Sequence, residues 1–288
     1  MVSEQTVIDR LVSWAQGRDD IRALILYSSR ADQQAILDPY SDYDVLLAVR
    51  EIHPLHADPG WLEGFGKVLV VFSNPIEVDN GFESFGFITH YQDGVKIDYG
   101  VYPVEYLRWI KEQFKLPTDL DHGYQVLLDK DGLSEGLPSP TYKAHLPIPP
   151  TADEYRAVVE EFFNDALYVA KHLWRDNLFS VKLSLDHIMK FTCLRKMLQW
   201  QVQINGHWQV RLGGDGQGLG RYVDPVLWAE LESTYVGAGA EENWQALFRI
   251  IELFRKVARE VGQRLGYTYP DEIHEGVDIM ITNRRDNL

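Results

Sequence analysis

Short apolar runs separated by polar turns characterise the first half of the chain. Apolar positions at helical spacing predict a helix over 4–17. Runs rich in Leu, Ile and Val predict strands over 21–27 and 43–49 and a buried strand over 68–72. A short helix is expected over 61–65. These segments predict a sheet flanked by helices.

A hairpin is predicted in the next stretch. Two apolar runs, 84–91 and 95–101, flank Asp93-Gly94, a dipeptide typical of tight hairpin turns. This pairing places Asp98 on a central strand of the sheet. Residues 103–113 then show helical spacing.

A cluster of prolines marks a change in the pattern. Five prolines between 134 and 151 cannot sustain a helix and predict a linker over 138–151. Beyond it, apolar residues recur at helical spacing from Tyr155 to Trp174 and over about 178–203 and 242–265. The predicted fold is α+β, with a mixed sheet and flanking helices in a domain over 1–137 and a helical bundle over 152–288.

Composition narrows the classes of partner. The chain has 288 residues, with 28 basic and 43 acidic side chains and a net charge of −15. Such a charge repels nucleic acid and anionic membranes, and no basic patch offsets it, so neither partner is expected. An acidic surface favours a cationic ligand. The single cysteine, Cys193, lies in an apolar helical pattern and is expected to be buried. A cytoplasmic monomer is predicted.

Three aspartates form the clearest chemical pattern. Asp42 and Asp44 lie one residue apart at the start of an apolar strand, so both side chains point to one face. Asp98 opens a similar run. If the two strands are neighbours, three carboxylates converge. Hard oxygen ligands of this kind suit Mg²⁺, which proteins usually hold with carboxylates and substrate phosphates.

The motifs around these aspartates resemble the nucleotidyltransferase superfamily, and the chain as a whole resembles the aminoglycoside 6-adenylyltransferases. The similarity runs in order from about residue 1 to about 275. The segments that carry it are Asp19-Asp20-Ile21-Arg22-Ala23-Leu24-Ile25-Leu26, Tyr27-Ser28-Ser29-Arg30, Ser41-Asp42-Tyr43-Asp44, Lys96-Ile97-Asp98, Leu128-Asp129-Lys130-Asp131-Gly132, Tyr168-Val169-Ala170-Lys171-His172-Leu173-Trp174-Arg175-Asp176 and Trp244-Gln245-Ala246-Leu247-Phe248.

The resemblance implies a specific reaction. An enzyme of this family transfers AMP from ATP to an aminoglycoside hydroxyl, here expected to be the 6-hydroxyl of streptomycin, and so confers resistance. Two Mg²⁺ ions are expected, held by Asp42, Asp44 and Asp98, with Asp98, Glu77 or Glu83 as the base. Two alternatives stay open: a nucleotidyltransferase with another acceptor, and a non-catalytic nucleotide-binding homologue.

The predicted nucleotide contacts include one departure from the family pattern. Ser28, Ser29, Arg30 and Lys182 are expected to bind the nucleotide. The family has glycine where this chain has Ser28. Glycine adopts positive φ without strain and lets a backbone approach phosphate closely. The substitution is therefore either a harmless variation or the cause of weakened triphosphate binding.

The predicted acceptor contacts lie in the helical region. Trp174, Asp176 and Asp186 are expected to bind the aminoglycoside, because an aromatic wall beside acids suits guanidinium and ammonium groups. The alternatives are that Trp174 belongs to the core and that Asp176 caps the following helix.

Overall fold

The computed structural model describes residues 2–32, 35, 37–144 and 146–286. The chain divides into two compact units, Met1–His145 and Leu146–Leu288. The assignment of nucleotide and acceptor binding to separate domains joined by a linker stays a prediction.

The first unit has a sheet of seven strands within the described residues. Its helices and strands are α1 (Glu4–Gln16), β1 (Ile21–Tyr27), β2 (Tyr43–Val49), α2 (His53–Ala57), β3 (Val68–Ser73), β4 (Glu77–Asp79), β5 (Phe82–Tyr91), β6 (Lys96–Pro103), α3 (Val104–Gln113), α4 (Thr118–Asp121) and β7 (Tyr124–Asp129).

The sheet is mixed. Its strand order is β3-β5-β6-β2-β1-β7, and β4 pairs with β5 outside this path. Strands β2 and β6 run parallel, whereas the other pairs are antiparallel. Strands β5 and β6 form the predicted hairpin. Because β6 also pairs with β2, it is an interior strand.

Alternation along β2 separates two hydrophobic cores. Tyr43, Val45, Leu47 and Val49 join a core with α1, whereas Leu46 and Ala48 join a core with α3 on the opposite face. By the same period of two, the side chain of Asp44 lies on the α3 face, and Asp42 immediately precedes the strand. They lie at the end of the strand where the apolar packing stops.

The prediction of a buried strand over 68–72 is wrong on burial. Strand β3 lies at the edge of the sheet, and its one partner among the described strands is β5. Leu69, Val70 and Phe72 are all more than half exposed. A short apolar run does not distinguish a buried strand from an edge strand. The short helix predicted over 61–65 is a 3₁₀ helix at Pro59–Gly64.

The second unit is helical. Its α-helices are α5 (Ala152–Trp174), α6 (Leu178–Lys182), α7 (Arg195–Asn205), α8 (Pro225–Glu232), α9 (Ala240–Leu265) and α10 (Asp271–Asp286). The predicted α+β class, with a mixed sheet followed by helices, is confirmed. Helices α8 and α10 were not predicted from the sequence.

The predicted helix over 178–203 contains a change of geometry. Residues Leu183–Leu194 form π-helical turns between α6 and α7. Cys193 is fully buried there, as predicted, and burial raises the pKa of its thiol. None of the described helices is both long and apolar enough to cross a membrane.

Candidate active site

The register between two parallel strands brings the key carboxylates together. Asp44 on β2 lies directly opposite Asp98 on β6. Asp42 precedes β2 by one residue and lines a different cavity from Asp44 and Asp98. The structure therefore brings Asp44 and Asp98 together with Asp42 nearby, and the joint role of the three as metal ligands stays a prediction.

Ser28 holds the turn that faces Asp44. It begins a 3₁₀ turn, Ser28–Arg30, directly after β1, and its φ is 62°. A side chain in this left-handed region costs free energy that glycine avoids. The Ser28 side chain lies beside the Asp44 carboxylate and acts to lower its pKa. Its carbonyl accepts hydrogen bonds from the amides of Ala31 and Asp32, both at 3.0 Å.

The surroundings of Asp44 raise its pKa. Burial and the nearby charge of Asp98 raise the pKa of Asp44 to about 6, although the neighbouring Ser28 side chain partly opposes the rise. Burial also raises the pKa of Asp98, against the opposing effect of Lys96. Both groups line a cavity of ≈ 320 Å³. Two carboxylates this close repel each other when both are charged, and a cation bound beside them removes this repulsion.

Lys96 supplies a positive charge at this position. Its ammonium donates to Asp42 Oδ2 at 2.5 Å and to Asp98 Oδ2 at 3.1 Å. Burial lowers the pKa of Lys96, but these two hydrogen bonds outweigh burial and the net pKa is raised. The sequence analysis missed this residue. Its signal was the spacing of two from Asp98 on a strand, which puts both side chains on one face.

The aspartates are suitable ligands for a divalent cation, but their oxygen atoms do not form a compact group. Asp98 Oδ1 is buried and has no hydrogen-bond partner among the described residues. Free carboxylate oxygens of this kind are the ligands that Mg²⁺ prefers. Within the described chain, the compact group of potential ligand atoms is instead Glu252, His274 and Asp278. The oxygens of the three aspartates are not drawn together to the same extent.

The two candidate bases have different surroundings. Glu77 lines the cavity that contains Asp44 and Asp98. Glu83 lies on β5, next to the residue that pairs with Glu77. Its carboxylate lies 3.0 Å from His53 on the surface. The geometry therefore favours Glu77 over Glu83 as a group near the reacting hydroxyl.

Arg30 braces the loop that carries Asp42. Its guanidinium donates to the carbonyls of Asp42 and Ser41 at 2.9 and 2.6 Å, pairs with Glu4 at 3.0 Å, and lies over the Tyr43 ring. Its side chain is 9% exposed. These contacts give Arg30 a structural role, and its predicted phosphate contact stays a prediction. Ser29 lies in the same turn, and its nucleotide contact stays a prediction too.

Lys182 and Asp186 contact each other in the second unit. Lys182 Nζ lies 3.3 Å from Asp186 Oδ2 and donates to the Val236 carbonyl at 2.8 Å. On the other side of Asp186, the fully buried ammonium of Lys190 donates to Oδ1 and to the Thr234 carbonyl, both at 2.6 Å. Lys190 was missed, although its spacing of four from Asp186 was a signal. The nucleotide role of Lys182 and the acceptor role of Asp186 stay predictions.

Trp174 ends α5 and is 59% exposed, which contradicts the alternative that it belongs to the core. Asp176 follows it with a φ of 53°. The next helix, α6, has Asn177 as its N-cap without a side-chain hydrogen bond, so capping by Asp176 gains no support. Acceptor binding by Trp174 and Asp176 stays a prediction.

Comparisons with known proteins agree on one family. The model of the streptomycin adenylyltransferase family matches residues 1–282. An aminoglycoside 6-adenylyltransferase of Bacillus subtilis is 30% identical, with 94% of each chain covered. A protein of the same name from Campylobacter jejuni is 29% identical, covering 94% of this chain and 92% of that one. A crystal structure of an aminoglycoside 6-adenyltransferase from Bacillus subtilis covers 99% of both chains, with 25% identity and a TM-score of 0.47.

Proposed function

The chain belongs to the streptomycin adenylyltransferase family, and from this premise we propose that it transfers AMP from ATP to the 6-hydroxyl of streptomycin. The family and the adenylyltransferase class expected from the motifs are thereby confirmed. We further propose that the reaction confers resistance to the antibiotic and takes place in the cytoplasm, with no nucleic acid or membrane partner and with the protein as a monomer.

The observation that carries this proposal is the pairing of Asp44 and Asp98 across β2 and β6, with Asp42 beside them. Asp42 and Asp44 would hold the ions that accompany ATP, and Asp98 would hold the ion near the attacking hydroxyl. Two Mg²⁺ ions bound here would stabilise the charge on the attacking and leaving oxygens of an in-line displacement.

The protein's own residues then position and deprotonate the acceptor. Glu77 lines the cavity beside Asp44 and Asp98, where it can accept the proton of the attacking hydroxyl. The Ser28–Arg30 turn faces Asp44 and offers backbone amides to phosphate oxygens. The nucleotide contacts of Ser28, Ser29, Arg30 and Lys182 are part of the proposal.

The acceptor is proposed to contact side chains of the second unit. Trp174 offers an exposed aromatic face for the guanidinium groups of streptomycin. Asp176 and Asp186 supply carboxylates, and the net charge of −15 attracts a polycation over longer distances. Names of relatives that are 23–30% identical support the acceptor class, and streptomycin itself is the proposed member.

Pyrophosphate release tests the proposal directly. The protein is incubated with ATP and Mg²⁺, with and without streptomycin and with a panel of other aminoglycosides. Streptomycin-dependent release, with a product heavier by one AMP, is the expected result. Release with another aminoglycoside alone would reassign the acceptor. ATP binding without release for any acceptor would favour the non-catalytic homologue.

A further inference from the structure

The Lys96 ammonium lies between two of the carboxylates proposed to bind metal. It hydrogen-bonds to Asp42 and Asp98 at the same time, and its side chain is 25% exposed. The side chains of Asp42 and Asp98 are 36% and 27% exposed. The ion pair is therefore partly shielded from water, where charge interactions are stronger than on an open surface.

The position of this ammonium matches that of a cation shared by both carboxylates. It uses Oδ2 of Asp42 and Oδ2 of Asp98. A Mg²⁺ ion approaches its ligand oxygens to about 2.0–2.1 Å. An ammonium and a divalent ion cannot both occupy the space between the same two oxygens, because they would overlap and repel each other.

We propose that Lys96 is an internal counterion that holds Asp42 and Asp98 in place without metal and competes with the divalent ion for these carboxylates. The inference rests on the proposed function, since it takes the aspartates to be metal ligands. Lys96 is thus a positioning residue, which sets how readily the site takes up metal.

The protein has room for the displaced ammonium. Lys96 and Asp42 line a second cavity, of ≈ 470 Å³, whose lining includes the carboxylate residues Glu4 and Asp93. A lysine side chain has four rotatable bonds and moves its charge at low cost. The ammonium can therefore leave the space between Asp42 and Asp98 and remain near Glu4 and Asp93, which already pair with Arg30 and Arg10.

Binding of Mn²⁺ without ATP or acceptor tests the competition. Mn²⁺ accepts the same carboxylate ligands as Mg²⁺. In titration calorimetry, Lys96→Met should bind Mn²⁺ about three- to tenfold more tightly than the wild type, because the competing charge is gone. Lys96→Arg keeps a charge and should stay near the wild-type affinity.

Lys67→Met is the matched control, because Lys67 is an exposed lysine in the same unit and its loss changes the net charge equally. It should bind Mn²⁺ like the wild type. If Lys96→Met binds Mn²⁺ no more tightly than Lys67→Met, the competition does not exist. If Lys96 had a purely structural role, Lys96→Met would leave the affinity for Mn²⁺ unchanged or weaken it.

Labelling of the wild type gives a second readout that needs no folded variant. An amine-acylating reagent followed by mass spectrometry should modify Lys96 faster once Mn²⁺ is saturating, while the rate at Lys67 stays constant. An unchanged rate at Lys96 would overturn the inference. Metal binding that Asp44→Asn abolishes, without transfer to any aminoglycoside, would leave the inference standing and refute the proposed reaction alone.

Discussion

Asp44 and Asp98 are direct neighbours across the parallel strands β2 and β6, although 54 residues separate them in the chain. Both line one cavity, and the turn that begins at Ser28 lies beside Asp44. The carboxylates are held by backbone pairing, so their side chains can be changed without rebuilding the sheet.

Replacement of Asp44 tests the catalytic role of this pair. Asp44→Asn should lower kcat by about a thousandfold or more, because it removes a charged metal ligand from the transition state. Asp42→Asn should have a similar effect, whereas Asp9→Asn on the exposed face of α1 should not. Pyrophosphate release and circular dichroism are measured together. Near wild-type turnover by Asp44→Asn would disprove the metal site.

Two substitutions of Ser28 distinguish the effect of backbone strain from the effect of the hydroxyl group. Because its φ is 62°, Ser28→Gly should be about 0.5–1 kcal/mol more stable than Ser28→Ala, which keeps the strained Cβ. Both variants lose the hydroxyl group, so their difference isolates the backbone. Urea unfolding with equal m-values measures it. Equal midpoints for the two variants would show that the turn relaxes around serine.

The two glutamates near the cavity should differ in catalysis. Glu77→Gln should lower kcat by about 10²–10⁴-fold if Glu77 accepts the hydroxyl proton. Glu83→Gln should stay near the wild-type rate, because Glu83 pairs with His53 on the surface. Steady-state kinetics at saturating ATP compare them. The opposite ranking would transfer the role to Glu83, and two active variants would leave Asp98 as the base.

Trp174 should affect the acceptor and spare the nucleotide. If streptomycin stacks on the exposed indole, Trp174→Ala should raise the KM for streptomycin about two- to fivefold. The KM for ATP serves as the internal control and should not change. A parallel rise in both constants would point to a general disturbance of α5 rather than to lost acceptor binding.

Asp121 should make stability depend on pH. Its buried carboxylate accepts hydrogen bonds from the Thr141 hydroxyl and from the amides of 141, 143 and 144. Burial raises the pKa of Asp121, but the hydrogen bonds outweigh burial and the net pKa is lowered. The charged form therefore stabilises the fold above the ordinary pKa, and this contribution disappears as pH falls through the lower folded-state value.

Asp121→Asn should accordingly destabilise the protein by about 1.5–3 kcal/mol at pH 7. The difference from the wild type should begin to shrink as the pH falls below about 4, where the unfolded chain takes up the proton, and should be smallest below the lower folded-state pKa. Asp119→Asn on the same helix is the control, since Asp119 is exposed. Thermal unfolding across this pH range is the measurement. A pH-independent difference would mean that the charge contributes nothing.

The sequence predicted what depends on local pattern. The strands 21–27 and 43–49, the hairpin around Asp93-Gly94 and the long α9 match their predicted positions closely. Period-two spacing placed Asp44 on the face of β2 that Leu46 and Ala48 share with α3. Helix α10 was missed, because its apolar positions are mixed with charges and no long periodic stripe marks it.

Non-local relationships were beyond the sequence pattern. Strand β3 has the same apolar composition as an interior strand, and only the pairing order shows that it lies at the edge. The contact of Lys96 with Asp42 joins residues 54 positions apart. The brace from Arg30 to the carbonyls of 41 and 42 depends on a loop conformation, which residue types alone do not specify.

The carboxylates of 44 and 98 lie on strands that are hydrogen-bonded along both edges, β2 by β1 and β6 and β6 by β2 and β5. Such strands open only when the whole sheet opens, so their amide protons should exchange with solvent at the rate of global unfolding. Fraying of the edge strand β3 then leaves the pairing of these two carboxylates in place. Inactivation by heat should be an all-or-none event in each molecule rather than a gradual decline.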